Sequence, residues 1–258
     1  MITLLKLGGE LLEDTAAMEA AAAGVRRLLD SGPLVVVHGG GRAVDADLKD
    51  RGKSPAFVDG LRVTDKDTLD TVVGVLAGRI NTTFVAALAA AGVKAVGLTG
   101  ADASLGLSVR APRLRTTTGA TADLGHVGVP VPEAPSGLIS DLLALGYVPV
   151  VASIGVSADG ELLNVNADVL AAHLAAAIGA SRLIIGGKTA GVFDESGRTC
   201  ERLDEVTARQ MVARGAARDG MVAKLGACLE AIAAGVPDVR IVDGRAGEYA
   251  EAPGTVLC

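Results

Sequence analysis

Apolar residues along the chain follow two rhythms that alternate almost from end to end. Short, mostly apolar runs bounded by Gly or Pro stand at residues 2–7, 34–37, 95–98, 148–151, 182–185 and 239–242. Runs of this length, apolar on both faces, predict buried strands. Between them lie longer stretches with helical spacing at 15–29, 43–51, 66–91, 136–145, 167–178 and 223–234. Alternation of this kind predicts a three-layer α/β/α sandwich with a mostly parallel central sheet. Two segments depart from it. Residues 106–132 are rich in Thr, Gly and β-branched side chains and predict a hairpin or lid. Residues 156–164 carry Ala-Asp-Gly between apolar flanks, a turn signal for a short hairpin. A soft boundary near Ala180 divides an N-terminal lobe, 1–180, from a C-terminal lobe, 181–258.

Composition narrows the classes of function. Half of the residues are apolar but only 2% are aromatic, so the core is built from Ala, Val and Leu, and aromatic platforms for single-stranded nucleic acid are lacking. A formal charge of −6 argues against a general polyanion-binding surface. Any phosphate site must therefore be local, made from backbone N–H groups and a few lysines. Cys200, Cys228 and Cys258 are widely spaced and form no CxxC pair, so neither a zinc site nor a disulfide framework is expected. The start of the chain has no basic region followed by a long apolar stretch. Apolar segments are interrupted by Gly, Asp or Arg before a membrane span accumulates. The expectation is a cytoplasmic protein with no nucleic acid or membrane partner.

Five motifs could carry chemistry. Lys6-Leu7-Gly8-Gly9 closes the first strand, where glycines let a phosphate approach the backbone and a lysine points to the crevice of an open α/β sheet. Alone it is equally an ordinary strand-to-helix turn. His38-Gly39-Gly40-Gly41 follows the second strand. Three glycines exceed what a tight turn needs and suit an anion resting on exposed N–H groups. It fits neither GxGxxG nor a P-loop, and His38 reads as a turn residue rather than a base. Gly60-Leu61-Arg62-Val63-Thr64 offers a guanidinium fork for a carboxylate, although in isolation a surface arginine is the simpler reading. Asn164-Val165-Asn166-Ala167-Asp168 enters a helix with three potential capping groups where one suffices. Asp219-Gly220-Met221-Val222-Ala223-Lys224 brings a second lysine to a helix start.

Together and in this order, with Leu-Gly-His-Val-Gly at 124–128 and Ser-Ile-Gly-Val at 153–156, these segments closely resemble the acetylglutamate kinases of the amino-acid kinase family. The resemblance runs over essentially the whole chain. Gly-Leu-Arg-Val-Thr and Asn-Val-Asn-Ala-Asp separate it from carbamate, aspartate, UMP and glutamate 5-kinases. It implies the amino-acid kinase fold and ATP-dependent phosphorylation of the side-chain carboxylate of N-acetyl-L-glutamate, the second step of arginine biosynthesis. It also implies substrate over the N-terminal lobe and nucleotide over the C-terminal one. By the same resemblance Lys6 and Lys224 neutralise the transferring phosphoryl group, with Asp168 holding both. Gly8, Gly9 and the loop Gly39, Gly40 and Gly41 donate to phosphate and substrate oxygens, and Arg62 and Asn164 bind the α-carboxylate and acetylamido end. Mg²⁺ is expected to ride on the phosphates of ATP, with no dedicated metal site in the protein.

One departure stands out: where the family has a Ser/Thr-Asp pair after the strand at 182–185, this chain reads Gly186-Gly187-Lys188. Lys188 is a candidate phosphate contact in its place. Arginine-inhibited members carry an extra N-terminal helix, and here the first strand begins at Ile2. The resemblance thus implies a homodimer paired through the helix at 66–91, insensitive to arginine. Two alternatives are a kinase for another acylated amino acid and a non-catalytic ligand-binding relative.

Overall fold

The computed structural model describes residues 1–258 apart from 116–118, 120, 218, 219 and 246. Strands β1 (Thr3–Leu7), β2 (Leu34–His38), β3 (Ala95–Thr99), β4 (Val148–Ala152), β5 (Arg182–Gly187), β6 (Arg202–Leu203), β7 (Val239–Asp243) and β8 (Gly254–Leu257) form one sheet. Their order is β6-β8-β7-β5-β1-β2-β4-β3. Every neighbouring pair is parallel except β7 with β8. Residues 1–180 supply β1 to β4 and the rest supply β5 to β8, so the two halves meet at the β1–β5 pair, where Lys6 lies opposite Ile185.

Among the described residues seven helices cover the sheet: α1 (Thr15–Leu28), α2 (Gly41–Asp50), α3 (Lys66–Ala90), α4 (Gly137–Ala144), α5 (Ala167–Ala177), α6 (Glu205–Ala213) and α7 (Gly220–Ala233). Side chains alternate across each strand. Leu5 and Leu7 join Val36, Val150 and Ile184 under α1, α2 and α3. Leu4 joins Val35, Val151 and Ile185 under the layer of α4 to α7. Lys6, in phase with Leu4, therefore points toward α5 and α7. That parity decides where the charge chemistry sits.

The helix starts are set by short polar side chains. Asp14, Asp65 and Asp204 each accept from a backbone N–H three residues on, and Asn166 accepts from Asp168 and Val169. α3 is regular at both ends, with a π-helical middle from Gly74 to Asn81. That segment carries Asn81 to the strand ends, where its Nδ2 donates to Val150 O at 2.9 Å and approaches His38 Nε2 at 3.0 Å. Wider helical turns of this kind often accompany such placement.

Contrary to the expectation that Gly, Asp or Arg would interrupt every apolar segment, α3 is by length and composition apolar enough to cross a membrane. Its Val72, Val75, Leu76, Ile80, Phe84 and Leu88 are buried against the sheet. Much of its apolar character thus belongs to the core.

Both irregular segments form strands. Residues Ile154–Val156 and Leu162–Val165 make the expected antiparallel hairpin, with Gly160 at φ 81° in its turn. That hairpin joins Val127–Pro130 and Ser108–Arg110 in a four-stranded sheet beside the cleft. The lid segment also holds a short pair, Leu114–Arg115 with Thr121–Ala122, between which residues 116–118 and 120 lie outside the described residues. α6, β6 and β8 were not anticipated. β8 pairs antiparallel to β7 at the far end of the sheet from β3.

Candidate active site

The C-terminal ends of β1, β2 and β4 open on a cleft of about 260 Å³. Such a position, beyond the carboxyl ends of parallel strands, is where open α/β sheets take ligands. Lys6 leaves β1 and is only 4% exposed, and its Nζ lies 2.7 Å from Asp168 Oδ1. Lys224, in the second turn of α7, donates from Nζ to the other carboxylate oxygen at 3.1 Å. One buried carboxylate thus sits between two ammonium groups.

The placement of Asp168 follows from its helix. It occupies the first turn of α5, where the helix dipole favours an anion, while Asn166 and not Asp168 provides the cap. Burial alone would raise the Asp168 pKa. The two lysines outweigh it, and the carboxyl is held below its ordinary value. Lys6 goes the other way. Burial pulls its pKa down and the shared carboxylate does not fully restore it, with Lys224 adding repulsion. Lys224 is also penalised by burial, but Asp168 prevails and its pKa is raised. With both lysines protonated the Lys–Asp–Lys trio by itself carries a net positive charge, and the Glu10 carboxylate lies within electrostatic reach of both lysines.

The two glycine turns meet here. A Cβ on Gly9 would lie 2.4 Å from Gly40 Cα, and one on Gly40 would lie 2.4 Å from Ile80 Cδ1, so neither position accepts a side chain without displacement. Gly8 donates its N–H to Gly186 O at 3.0 Å, and Gly39 donates to Leu7 O at 3.4 Å. Those two groups are engaged by the fold. The N–H groups of Gly40 and Gly41, at the start of α2, have no carbonyl a turn before them and are the ones open to an anion.

At the opposite wall, Arg62 is fixed from three sides. It donates to Asp45 Oδ1 at 2.6 Å and to Gly41 O at 3.1 Å, and its guanidinium lies 4.8 Å from the centre of the Phe57 ring. Asn164 donates to Thr64 Oγ1 at 3.0 Å. The Thr64 backbone accepts from His126 and donates to Leu124, while Asn164 N–H donates to His126 O. Ser153 likewise joins His38 to Val165. The separate sequence motifs are thus knitted into one hydrogen-bonded frame.

Lys6, Gly8, Gly9, Gly39, Gly40, Gly41, Arg62, Asn164 and Asp168 line the cleft, and Lys224 reaches it through Asp168. Lys188 does not. Its side chain is 42% exposed and lies 3.7 Å from Glu13 Oε2. Asp219 lies outside the described residues. Sequence reasoning passed over Asp45 and Phe57, which orient Arg62, and Glu10, whose carboxylate stands over Gly8. Asp45 sits four residues after Gly41 on α2, a spacing that would have revealed it.

His38 is buried at the end of β2, with Nδ1 3.1 Å from Gly39 O and Nε2 facing Asn81. Burial lowers its pKa from 6.5 to about 4, against the opposing effect of the Gly39 carbonyl. The ring is neutral and structural, in keeping with a turn residue. Between pH 6.5 and 4 the unfolded chain binds the proton and the folded chain does not. Stability is therefore full above pH 6.5 and falls as the pH drops, by about 3 kcal/mol from His38 at pH 4. Burial of His173 acts in the same direction. Urea unfolding at pH 7 and pH 4.5 is expected to show a shallower loss for His38→Gln than for the unaltered chain. Equal losses would refute the assignment.

This combination, a parallel sheet whose strand ends hold two glycine turns and a lysine–aspartate–lysine cluster, has clear relatives. The chain belongs to the amino acid kinase family, which it matches over residues 1–243. It is 42% identical to the acetylglutamate kinase of Solibacter usitatus over 247 residues, 95% of this chain and 92% of that protein. It is 41% identical to the acetylglutamate kinase of Serratia proteamaculans over 230 residues, 88% and 85% of the two chains. Among solved structures, smu.665 from Streptococcus mutans superposes with a TM-score of 0.84 at 27% identity, covering 99% of this chain and 98% of that one. A Giardia carbamate kinase, 16% identical with a TM-score of 0.68 over 99% and 98% of the chains, shares the fold.

Proposed function

We propose that this chain transfers the γ-phosphoryl group of ATP to the side-chain carboxylate of N-acetyl-L-glutamate, the second step of arginine biosynthesis. The observation that carries the reading is the buried Asp168 held between Lys6 and Lys224 beside a cleft whose far wall presents Arg62 and Asn164. The side-chain carboxylate oxygen attacks the γ-phosphorus, the bond from that phosphorus to the β,γ-bridging oxygen breaks, and ADP leaves with an acyl phosphate formed. The nucleophile is already ionised, so the reaction needs no general base. Its obstacle is the approach of two anions, which positioned positive charge and hydrogen-bond donors relieve.

Lys6 and Lys224 supply that charge, and Asp168 keeps them apart and aimed. Gly40 and Gly41, with Gly9 beside them, offer donors to substrate and phosphate oxygens. Arg62 takes the α-carboxylate and Asn164 the acetylamido group. Residues 1–180 hold the acylated amino acid and residues 181–258 the nucleotide, across the β1–β5 seam. Lys188 contacts a phosphate only by leaving Glu13. Mg²⁺ enters with ATP, held mainly by the phosphates. The chain works as a cytoplasmic homodimer through the outer face of α3, whose apolar length exceeds what the core covers.

The test is ATP-dependent formation of acyl phosphate trapped by hydroxylamine. Turnover with N-acetylglutamate supports the reading. Turnover only with a different acylated amino acid, or ATP binding without turnover, refutes it. Because Arg62 already spends two N–H groups on Asp45 and Gly41, its role depends on a planar fork that lysine lacks. Arg62→Lys is expected to raise KM for N-acetylglutamate by about 10- to 100-fold, the loss of one charge-assisted hydrogen bond, with kcat changed much less. Steady-state kinetics check this, and an unchanged KM would remove Arg62 from the substrate site.

A further inference from the structure

Glu10 belongs to none of the roles above, yet its side chain borders the lysine–aspartate–lysine cluster. A Cβ on Gly8 would lie 2.5 Å from its Oε1, and one on Gly187 would lie 3.4 Å from the same oxygen and 3.7 Å from Lys224 Cε. Glu10 and Lys224 therefore border one space beside β5, on the half of the sheet assigned to the nucleotide. Glu10 also lies within electrostatic reach of Lys6. Despite two lysines as neighbours, it makes no direct ion pair among the described residues.

A polyphosphate resting on those lysines would bring its negative oxygens against this carboxylate. Retreat of the backbone is blocked. Glu10 lies in the tight turn Gly9–Leu11, closed by Leu11 N–H to Gly8 O and Leu12 N–H to Gly9 O, with Leu11 and Leu12 buried behind it. A divalent cation between carboxylate and phosphate removes the conflict. The chemistry of the donors fits such an ion. No group of three or more His, Cys, Asp or Glu side chains gathers among the described residues, so there is no all-protein cage. Mg²⁺ is commonly held by one or two carboxylates together with substrate phosphates.

We propose that Glu10 is the chain's own contact to the divalent cation carried by the nucleotide, so that the turn after β1 selects metal-loaded over metal-free ATP. The inference rests on the phosphotransfer reading and names the residue through which the metal is sensed.

The experiment is a linkage measurement that needs no turnover. Calorimetric dissociation constants for ATP are compared with saturating Mg²⁺ and with a chelator, for the unaltered protein, Glu10→Gln and Glu10→Asp. The unaltered protein is expected to bind Mg²⁺–ATP more tightly than free ATP. Glu10→Gln should shrink that ratio about tenfold, largely by improving binding of metal-free ATP, while Glu10→Asp retains most of it. With Mn²⁺ in place of Mg²⁺, the paramagnetic spectrum of the ternary complex should differ between the unaltered and Gln proteins. A ratio unchanged in Glu10→Gln, or both forms of ATP tightening equally, would reduce Glu10 to a counter-ion and overturn the inference alone. No ATP binding by the unaltered protein would overturn the phosphotransfer reading and this inference with it.

Discussion

Replacing Lys6 by methionine is expected to lower kcat for acyl phosphate formation by about 10²- to 10³-fold, the cost of deleting one preorganised electrostatic donor from a phosphoryl or acyl transition state. Methionine keeps most of the apolar stem that packs beneath α5 and removes only the charge. The large effect follows from burial. Lys6 is screened from water, its Nζ is pinned at 2.7 Å by Asp168, and no other described lysine contacts Asp168 except Lys224. Lys224 cannot substitute, because it approaches from α7 and already uses the other carboxylate oxygen. Binding of N-acetylglutamate, held at the far wall by Arg62 and Asn164, should be nearly unchanged. A Lys6→Met protein that keeps more than a tenth of the parent kcat would contradict the assignment.

Much of this site was legible because Lys6 to Gly9 and His38 to Gly41 close two neighbouring strands of a parallel sheet, whose ends converge. The run 2–7 predicted β1 and set Lys6 at its crevice end, while the layer that Lys6 faces is given by the core contacts of Leu4 and Leu5. The triple glycine after β2 was readable as a close-approach turn, and the structure gives the steric reason: Gly9 and Gly40 touch, and Gly40 lies under Leu76 and Ile80. The surplus of polar groups in Asn164 to Asp168 was also a sound signal. The structure divides the labour, with Asn166 as cap, Asn164 bonded to Thr64 and Asp168 turned to the lysines.

What was not legible depends on contacts between distant segments. Gly8 and Gly39 looked like anion donors, but their N–H groups close the sheet onto Gly186 and Leu7, a fact set by register and invisible in a motif. Lys188 looked like a phosphate contact because it follows β5. Its partner Glu13 comes from the turn before α1, far away in sequence. β8 is a short Gly-Thr-Val-Leu run whose pairing to β7 is non-local. α6 is weakly apolar, with Ala208 as its buried residue, so helical periodicity gave little warning.

Asp168→Asn is expected to be the most destabilising conservative change in the site. Asparagine preserves shape and the backbone N–H bonded to Asn166, so α5 keeps its cap. It leaves Lys6 and Lys224 close together with their shared counter-charge gone, and removing one member of a buried ion pair costs about 3–5 kcal/mol. Lys6, whose pKa burial already lowers, then sheds its proton more readily, so the variant also loses the charge that catalysis needs. The pH dependence separates this from a packing defect. The Asp168 pKa is lowered in the folded chain from 3.8, so its contribution is complete above that value and disappears as the pH falls below it. Urea unfolding should therefore show a large gap between the unaltered and Asn proteins at pH 7, narrowing as the pH is lowered beneath 3.8. Sulfate, by occupying the space between two uncompensated lysines, should stabilise the Asn variant more than the parent. A gap of constant size across that pH range, with equal response to sulfate, would mean that Asp168 acts through packing and that the two lysines are not held by its charge.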